Sequence, residues 1–198
     1  MKLYDISQEV FSCAVYPGDP SPEWVRVMQI ERGDCVNLTA IQMCAHNGTH
    51  VDAPCHFIKD GKSIDQVALE CFVGPAFVVH WEGEISAEDA LAILEKARME
   101  DSQAARRILV QGKAVVTKDA AEVFAEAGLL LFGNESQTVG PEEAPMEVHL
   151  IMLGAQIVLL EGIRLKDVEE GVYLLNAAPL NLGGSDGAPC RAILIDME

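Results

Sequence analysis

The chain has 198 residues, 49% hydrophobic and 23% charged, a composition that fits a single globular domain over residues 1–198 with a core of its own. No apolar run reaches the length of a membrane span, and the N-terminus lacks the apolar stretch and cleavage site of a secretory signal, so a cytoplasmic protein is expected. A formal charge of −17, with 14 basic residues that form no cluster, argues against nucleic acid as a partner.

In chain order, Tyr16-Pro17-Gly18-Asp19-Pro20 is a turn cluster, and strands are expected over residues 23–30 and 36–44. A short buried strand follows over 76–80, and Ser86-Ala87-Glu88-Asp89 reads as a capping box opening a helix to about Met99. Residues 108–111 read as strand, Thr117 caps a helix through Ala127 that Gly128 stops, and 129–132 is strand again. A helix is expected over 145–153, with Met146, Leu150 and Leu153 at helical spacing, then strands over 157–160, 173–176 and 192–195. The glycines of residues 183–187 suggest a flexible loop. Strands alternating with helices after a strand-rich opening imply an α/β fold, a mixed sheet curled toward a barrel with flanking helices.

Between the early strands and the first helix lies His46-Asn47-Gly48-Thr49-His50-Val51-Asp52-Ala53-Pro54-Cys55-His56-Phe57, which holds three of the five histidines. His46, His50, Asp52 and His56 all occupy even positions. In an extended segment they would share one face, with Val51, Ala53, Cys55 and Phe57 on the other. Imidazole and carboxylate donors suit a divalent cation such as zinc, manganese or iron, so this face is a candidate half of a metal site. The helical His-Glu-x-x-His alternative fails, because Asn47 stands at the glutamate position and Gly48 and Pro54 oppose helix. A purely structural histidine cluster is the plainer reading, and it leaves four donors on one face without a common purpose. For the other half, His149 on the expected helix is the better candidate, and His80 reads as a strand-end residue. Glu161, among Leu159, Leu160 and Ile163, invites a cationic partner; a pair with Arg164 or simple exposure would also satisfy it.

The segment resembles the His-x-Gly-Thr-His-x-Asp-x-Pro-x-His signature of the cyclase family, which contains bacterial kynurenine formamidases and isatin hydrolases. The resemblance extends to Val15-Tyr16-Pro17-Gly18-Asp19, to His149 and Glu161 twelve residues apart, and to the tail from Leu160 through Asp186-Gly187-Ala188-Pro189-Cys190-Arg191. It implies a metal-dependent hydrolase with the swivelling β/β/α, cyclase-like fold, commonly a homodimer or larger homo-oligomer. Carried over by position, His46, His50 and Asp52 bind one zinc or manganese ion. Asp52 and Glu161 bridge in the two-metal members, and His149 completes the second site. His56 corresponds to the general acid/base, although it could also contribute to the second metal.

The chemistry so implied is attack of metal-activated water on a small-molecule formamide, lactam, lactone or other acyl carbon, with His56 carrying a proton to the leaving group. Arylformamidase activity, N-formylkynurenine to kynurenine plus formate, is the leading named reaction. Tyr16, the candidate substrate-binding residue, stands where kynurenine formamidases typically carry tryptophan. Residues 109–114 lack the family's usual Thr-Gly-Trp-like stretch, and Gly133-Asn134-Glu135-Ser136-Gln137-Thr138 replaces Gly-x-Asp-x-x-Ser. These departures leave open another cyclic or N-acyl substrate, or a metal-binding relative without catalysis. A thiol hydrolase using Cys55 is a third reading, disfavoured because neighbours on a strand point apart. The six cysteines are scattered singly and read as free thiols.

Overall fold

Apolar runs that demand burial on both faces form the middle of the sheet. The structure is a computed structural model and describes residues 1–196. Its strands, in chain order, are β1 (Lys2–Asp5), β2 (Glu23–Met28), β3 (Leu38–Gln42), β4 (His50–Asp52), β5 (Val73–His80), β6 (Gly83–Ile85), β7 (Arg107–Gln111) and β8 (Ala114–Val116), then β9 (Leu131–Asn134), β10 (Val158–Glu161), β11 (Gly171–Asn176), β12 (Gly187–Pro189) and β13 (Ile193–Asp196). The α-helices are α1 (Ala87–Glu100), α2 (Lys118–Glu126) and α3 (Met146–Gly154).

Nine strands form one curled, half-barrel sheet in the order β1-β13-β11-β5-β7-β9-β10-β4-β12. The four central strands, β5, β7, β9 and β10, run parallel, and antiparallel strands extend the sheet on both sides. Parallel strands joined through helices are covered on both faces, which is why 108–110, 131–132 and 158–160 read as unbroken apolar runs. Ile108, Val110, Phe132 and Leu159 face the helices, while Leu109, Leu131, Val158 and Leu160 enter the second core inside the curl.

The helix signals have their expected causes. Ser86 and Asp89 form the capping box of α1, which buries Ala90, Ile93, Leu94 and Ala97 on one stripe. The Thr117 hydroxyl accepts from the Ala120 amide and opens α2, and Phe124 anchors that helix in the core. The strand at 157–160 runs one residue later than expected and therefore ends on Glu161 itself. The loop expected at 183–187 is a loop only through Asp186: Gly187–Pro189 is a strand, because β4 offers it an unpaired edge. The expected strand over 23–30 gives way at Ile30–Arg32 to a 3-10 turn closed by Gly33.

β2 and β3 form a separate two-stranded ribbon outside the main sheet. Trp24, Val25, Val27, Leu38 and Ile41 are all exposed on it.

Candidate metal centre and active site

β4 carries the parity argument for two of its four residues. His50 and Asp52 lie on one side of the strand, and Val51 between them is fully buried in the opposite core. The strand is only three residues long, so the expected extended face from 46 to 56 is not what brings the histidines together. His46 lies before the strand in a turn in which the Asn47 side chain accepts from the Cys44 amide and Gly48 takes φ +69°. That left-handed residue reverses the chain and folds His46 back over Asp52. His56 lies in a 3-10 turn, Pro54–His56, opened by Pro54, whose fixed φ suits its first position. The four side chains therefore meet through a turn, a strand and a 3-10 turn.

The far half of the chain closes the cluster. β10 pairs antiparallel with β4 so that Glu161 stands opposite His50. His149 projects from the buried side of α3. His46 Nδ1 is 2.8 Å from Asp52 Oδ1, and His50 Nε2 is 3.5 Å from both Asp52 Oδ1 and Glu161 Oε2. His149 Nε2 is 3.3 Å from Glu161 Oε1 and 3.7 Å from Asp52 Oδ2. Arg164 is not the partner of Glu161, since its guanidinium donates to the carbonyls of Glu135, Gly162 and Ile163. Glu161 is buried and accepts from the Val139 amide at 2.9 Å. His80 ends β5 at the surface.

The donor set fits a divalent ion on its chemistry. His50 Nδ1 lies 3.0 Å from the Gly48 carbonyl and His149 Nδ1 2.8 Å from the Pro145 carbonyl. A carbonyl only accepts, so both rings carry a proton on Nδ1 and turn Nε2 to the cluster, the arrangement that an acceptor behind the ring gives metal-binding histidines. Ligand atoms of His46, His50 and Asp52 lie within 4.8 Å of one another, as do those of Asp52, His149 and Glu161. Asp52 belongs to both groups.

Electrostatics supports the same conclusion. Burial alone would lower the His50 pKa, but the Asp52 and Glu161 carboxylates outweigh it and push the value up to about 10. Burial is likewise overcome by Asp52 at His46 and by Glu161 at His149, and both are raised. Burial would raise Asp52, yet His46 and His50 hold it well below the usual carboxylate range.

A cavity of about 200 Å³ opens over the cluster, with His56, Phe57, Tyr16, Gln137 and Thr138 also in its walls. The Tyr16 hydroxyl donates to the Glu142 carbonyl at 3.1 Å, which holds the ring at the rim. The Thr138 hydroxyl is buried and makes no hydrogen bond among the described residues. A wider groove of about 740 Å³ along β11 is lined by Glu100, Asp101, Glu169 and Glu170 and by no histidine or cysteine. The Cys55 thiol instead packs toward the Ser185 carbonyl, and burial followed by the Asp186 charge raises its pKa, which opposes thiolate formation. All six cysteines are free.

Asp186 is the residue that sequence reasoning passed over. Its Oδ2 lies 3.0 Å from His46 Nε2 and 3.1 Å from His56 Nδ1. The signal available for it was its place in the Asp-Gly-Ala-Pro stretch of the C-terminal resemblance.

Known proteins resemble the chain over nearly its whole length. The kynurenine formamidase of Salinibacter ruber is 34% identical over 212 residues, spanning 99% of this chain and 98% of its own length. That of Erythrobacter litoralis is 30% identical over 99% of this chain and 94% of its own. A solved structure described as a potential metal-dependent hydrolase with cyclase activity superposes with a TM-score of 0.83 at 26% identity, covering 100% of this chain and 98% of that one. Fold, site and relatives together define the class: an enzyme, a hydrolase acting on C–N amide bonds, with a His/Asp/Glu cluster able to bind a metal. The model of the family described as "Putative cyclase" matches residues 4–141, and the chain belongs to that family.

Proposed function

We propose that the protein is an arylformamidase that hydrolyses N-formylkynurenine to kynurenine and formate, a step of tryptophan catabolism. The observation that supports this reading best is the cluster of buried His50, Asp52, His149 and Glu161 with partly exposed His46, beside the cavity that His56 shares. The cluster's donors would hold one or two divalent ions, zinc first and manganese as the alternative. Such an ion supplies a Lewis acid for the formyl oxygen and a water whose pKa is near neutral.

The chain's own groups do the rest. Tyr16 and Phe57 form the aromatic walls against which an aryl ring packs. Gln137 and Thr138 line the same cavity and add polar groups to its wall. As a water oxygen adds to the formyl carbon, His56 takes a proton from that water; as the C–N bond breaks, His56 delivers it to the departing nitrogen, leaving the amine and formate. We further propose a cytoplasmic homodimer in which the apolar β2–β3 ribbon meets a second copy, since an isolated two-stranded ribbon is barely stable in water.

The test is turnover by zinc- and manganese-loaded protein on N-formylkynurenine, isatin and an aryl lactone, with His56→Ala as control. N-formylkynurenine should be the best substrate by kcat/KM, and His56→Ala should lower kcat by about 10²–10⁴ with the metal retained. Preference for the lactam or lactone would move the substrate to another cyclic compound. Stoichiometric metal without turnover on any of them would make the protein a metal-binding relative.

A further inference from the structure

The single oxygen that joins His46 to His56 gives Asp186 a task of its own. Asp186 Oδ2 lies 3.0 Å from His46 Nε2 and 3.1 Å from His56 Nδ1, and the two rings stack with centroids 4.1 Å apart and planes 28° from parallel. On its other side, His46 already turns Nδ1 to Asp52 at 2.8 Å. A carboxylate accepts and does not donate. Each ring that bonds Asp186 through an N–H therefore keeps its opposite nitrogen for other work.

The backbone that carries the half-exposed carboxylate is fixed in place. The Asp186 carbonyl accepts from the Ala53 amide at 2.9 Å, and the next residue, Gly187, pairs with Asp52 across β4 and β12. Gly187 lies so close to the site that a Cβ there would stand 2.7 Å from His46 Cε1 and 2.8 Å from the Val51 carbonyl. The Asp-Gly pair thus supplies a charge and the room to bring it against the ring.

We propose that Asp186 is a positioning residue that sets the tautomers of His46 and His56 together, so that His46 presents Nδ1 to the Asp52 side of the cluster and His56 presents Nε2 to the cavity. The role of His56 rests on the functional reading above; the tautomers do not. Histidine ligands are commonly oriented by an outer carboxylate, and a catalytic imidazole is held in one tautomer by an aspartate in the same way. Here one oxygen would serve both, fixing the distance between a metal ligand and the proton carrier. The same three residues also come within ligand distance of one another. An ion held there would make His46 bridge two metals through both ring nitrogens and would require it to lose both ring protons.

Two measurements on Asp186→Asn and Asp186→Ser decide the matter. Long-range ¹H–¹⁵N NMR of the imidazoles, on metal-free and zinc-loaded protein, should find His56 in the Nδ1–H form in the wild type and mixed or reversed in both variants. Zinc stoichiometry should be unchanged, zinc affinity about 10- to 100-fold weaker, and kcat about 10- to 100-fold lower with a smaller change in KM. An unchanged His56 tautomer would overturn the proposal, and so would loss of a whole zinc equivalent, which would make Asp186 a ligand. If the wild type hydrolyses none of the formyl, lactam or lactone compounds, the functional reading fails alone. The tautomer and zinc results still decide Asp186.

Discussion

Two regions invert the ordinary rule of burial in opposite ways. At the junction of β4, β10 and α3, four polar side chains, His50, Asp52, His149 and Glu161, are each about 3% exposed or less. On the β2–β3 ribbon, Trp24, Val25 and Ile41 are each more than half exposed. Buried charge costs free energy unless it is paired, and exposed apolar area costs free energy unless it is covered. Each region therefore points to something outside the single polypeptide. The cluster is complementary to a cation and the ribbon to an apolar surface, and their different chemistry makes them separable by mutation.

The largest effect is expected at Asp52, which is common to two of the ligand groups. Asp52→Ala should abolish metal binding and turnover, and should destabilise the metal-free protein by about 3–5 kcal/mol, the usual cost of breaking a buried ionic cluster. The pH dependence sharpens this. Asp52 is held below its ordinary 3.8, so its contribution is present above that value and is lost as pH falls through its lower folded value. His50 is raised from 6.5 to about 10, so its contribution is complete below 6.5 and is lost as pH rises toward 10. Urea unfolding of the chelated wild type at pH 5.5 and 9.5 should find the cluster's contribution larger at the lower pH. Asp52→Ala should flatten that difference, and equal flattening by Trp24→Ser would break the contrast between the regions.

A smaller effect is expected from Gly187→Ala. The added methyl would press on His46 Cε1 and the Val51 carbonyl, and backbone cannot yield as a flexible side chain can. The cost should be about 1–3 kcal/mol of stability, together with weaker zinc binding as His46 is displaced. Thermal unfolding and zinc titration check both. Unchanged zinc affinity would mean that His46 is not held by this contact.

How much of the site was legible in the sequence follows from how each side chain reaches it. The alternation that pairs His50 with Asp52 is a property of one strand and is visible in three residues. His46 and His56 were found by the same parity, although Gly48 and Pro54, quoted against a helix, also end the strand. Asp186 reaches His56 across 130 residues from a glycine-rich loop, and no local period records that meeting. The central strands were legible because two-sided burial leaves continuous apolar runs. β12 was not, because it is three residues of Gly, Ala and Pro that pair only because β4 has a free edge.

The smallest effect on the folded monomer is expected on the ribbon, where it is most informative. Trp24 pairs with Ile41 across the strands, and its ring lies 6.5 Å from that of Phe11 and 5.6 Å from the Arg26 guanidinium. Serine at both positions removes area that water already reaches, so unfolding of the monomer should change by no more than about 0.5 kcal/mol. If the ribbon meets a second copy, the same two changes remove large apolar anchors from the centre of the contact, where truncation costs about 2 kcal/mol or more per residue. Light scattering across a dilution series should then find a dimer in the wild type and a monomer in Trp24→Ser/Ile41→Ser, with zinc stoichiometry equal in both. Loss of zinc on dissociation would tie the two regions together: the cluster would depend on the ribbon through Tyr16, which follows Phe11 on the same N-terminal segment and lines the cavity.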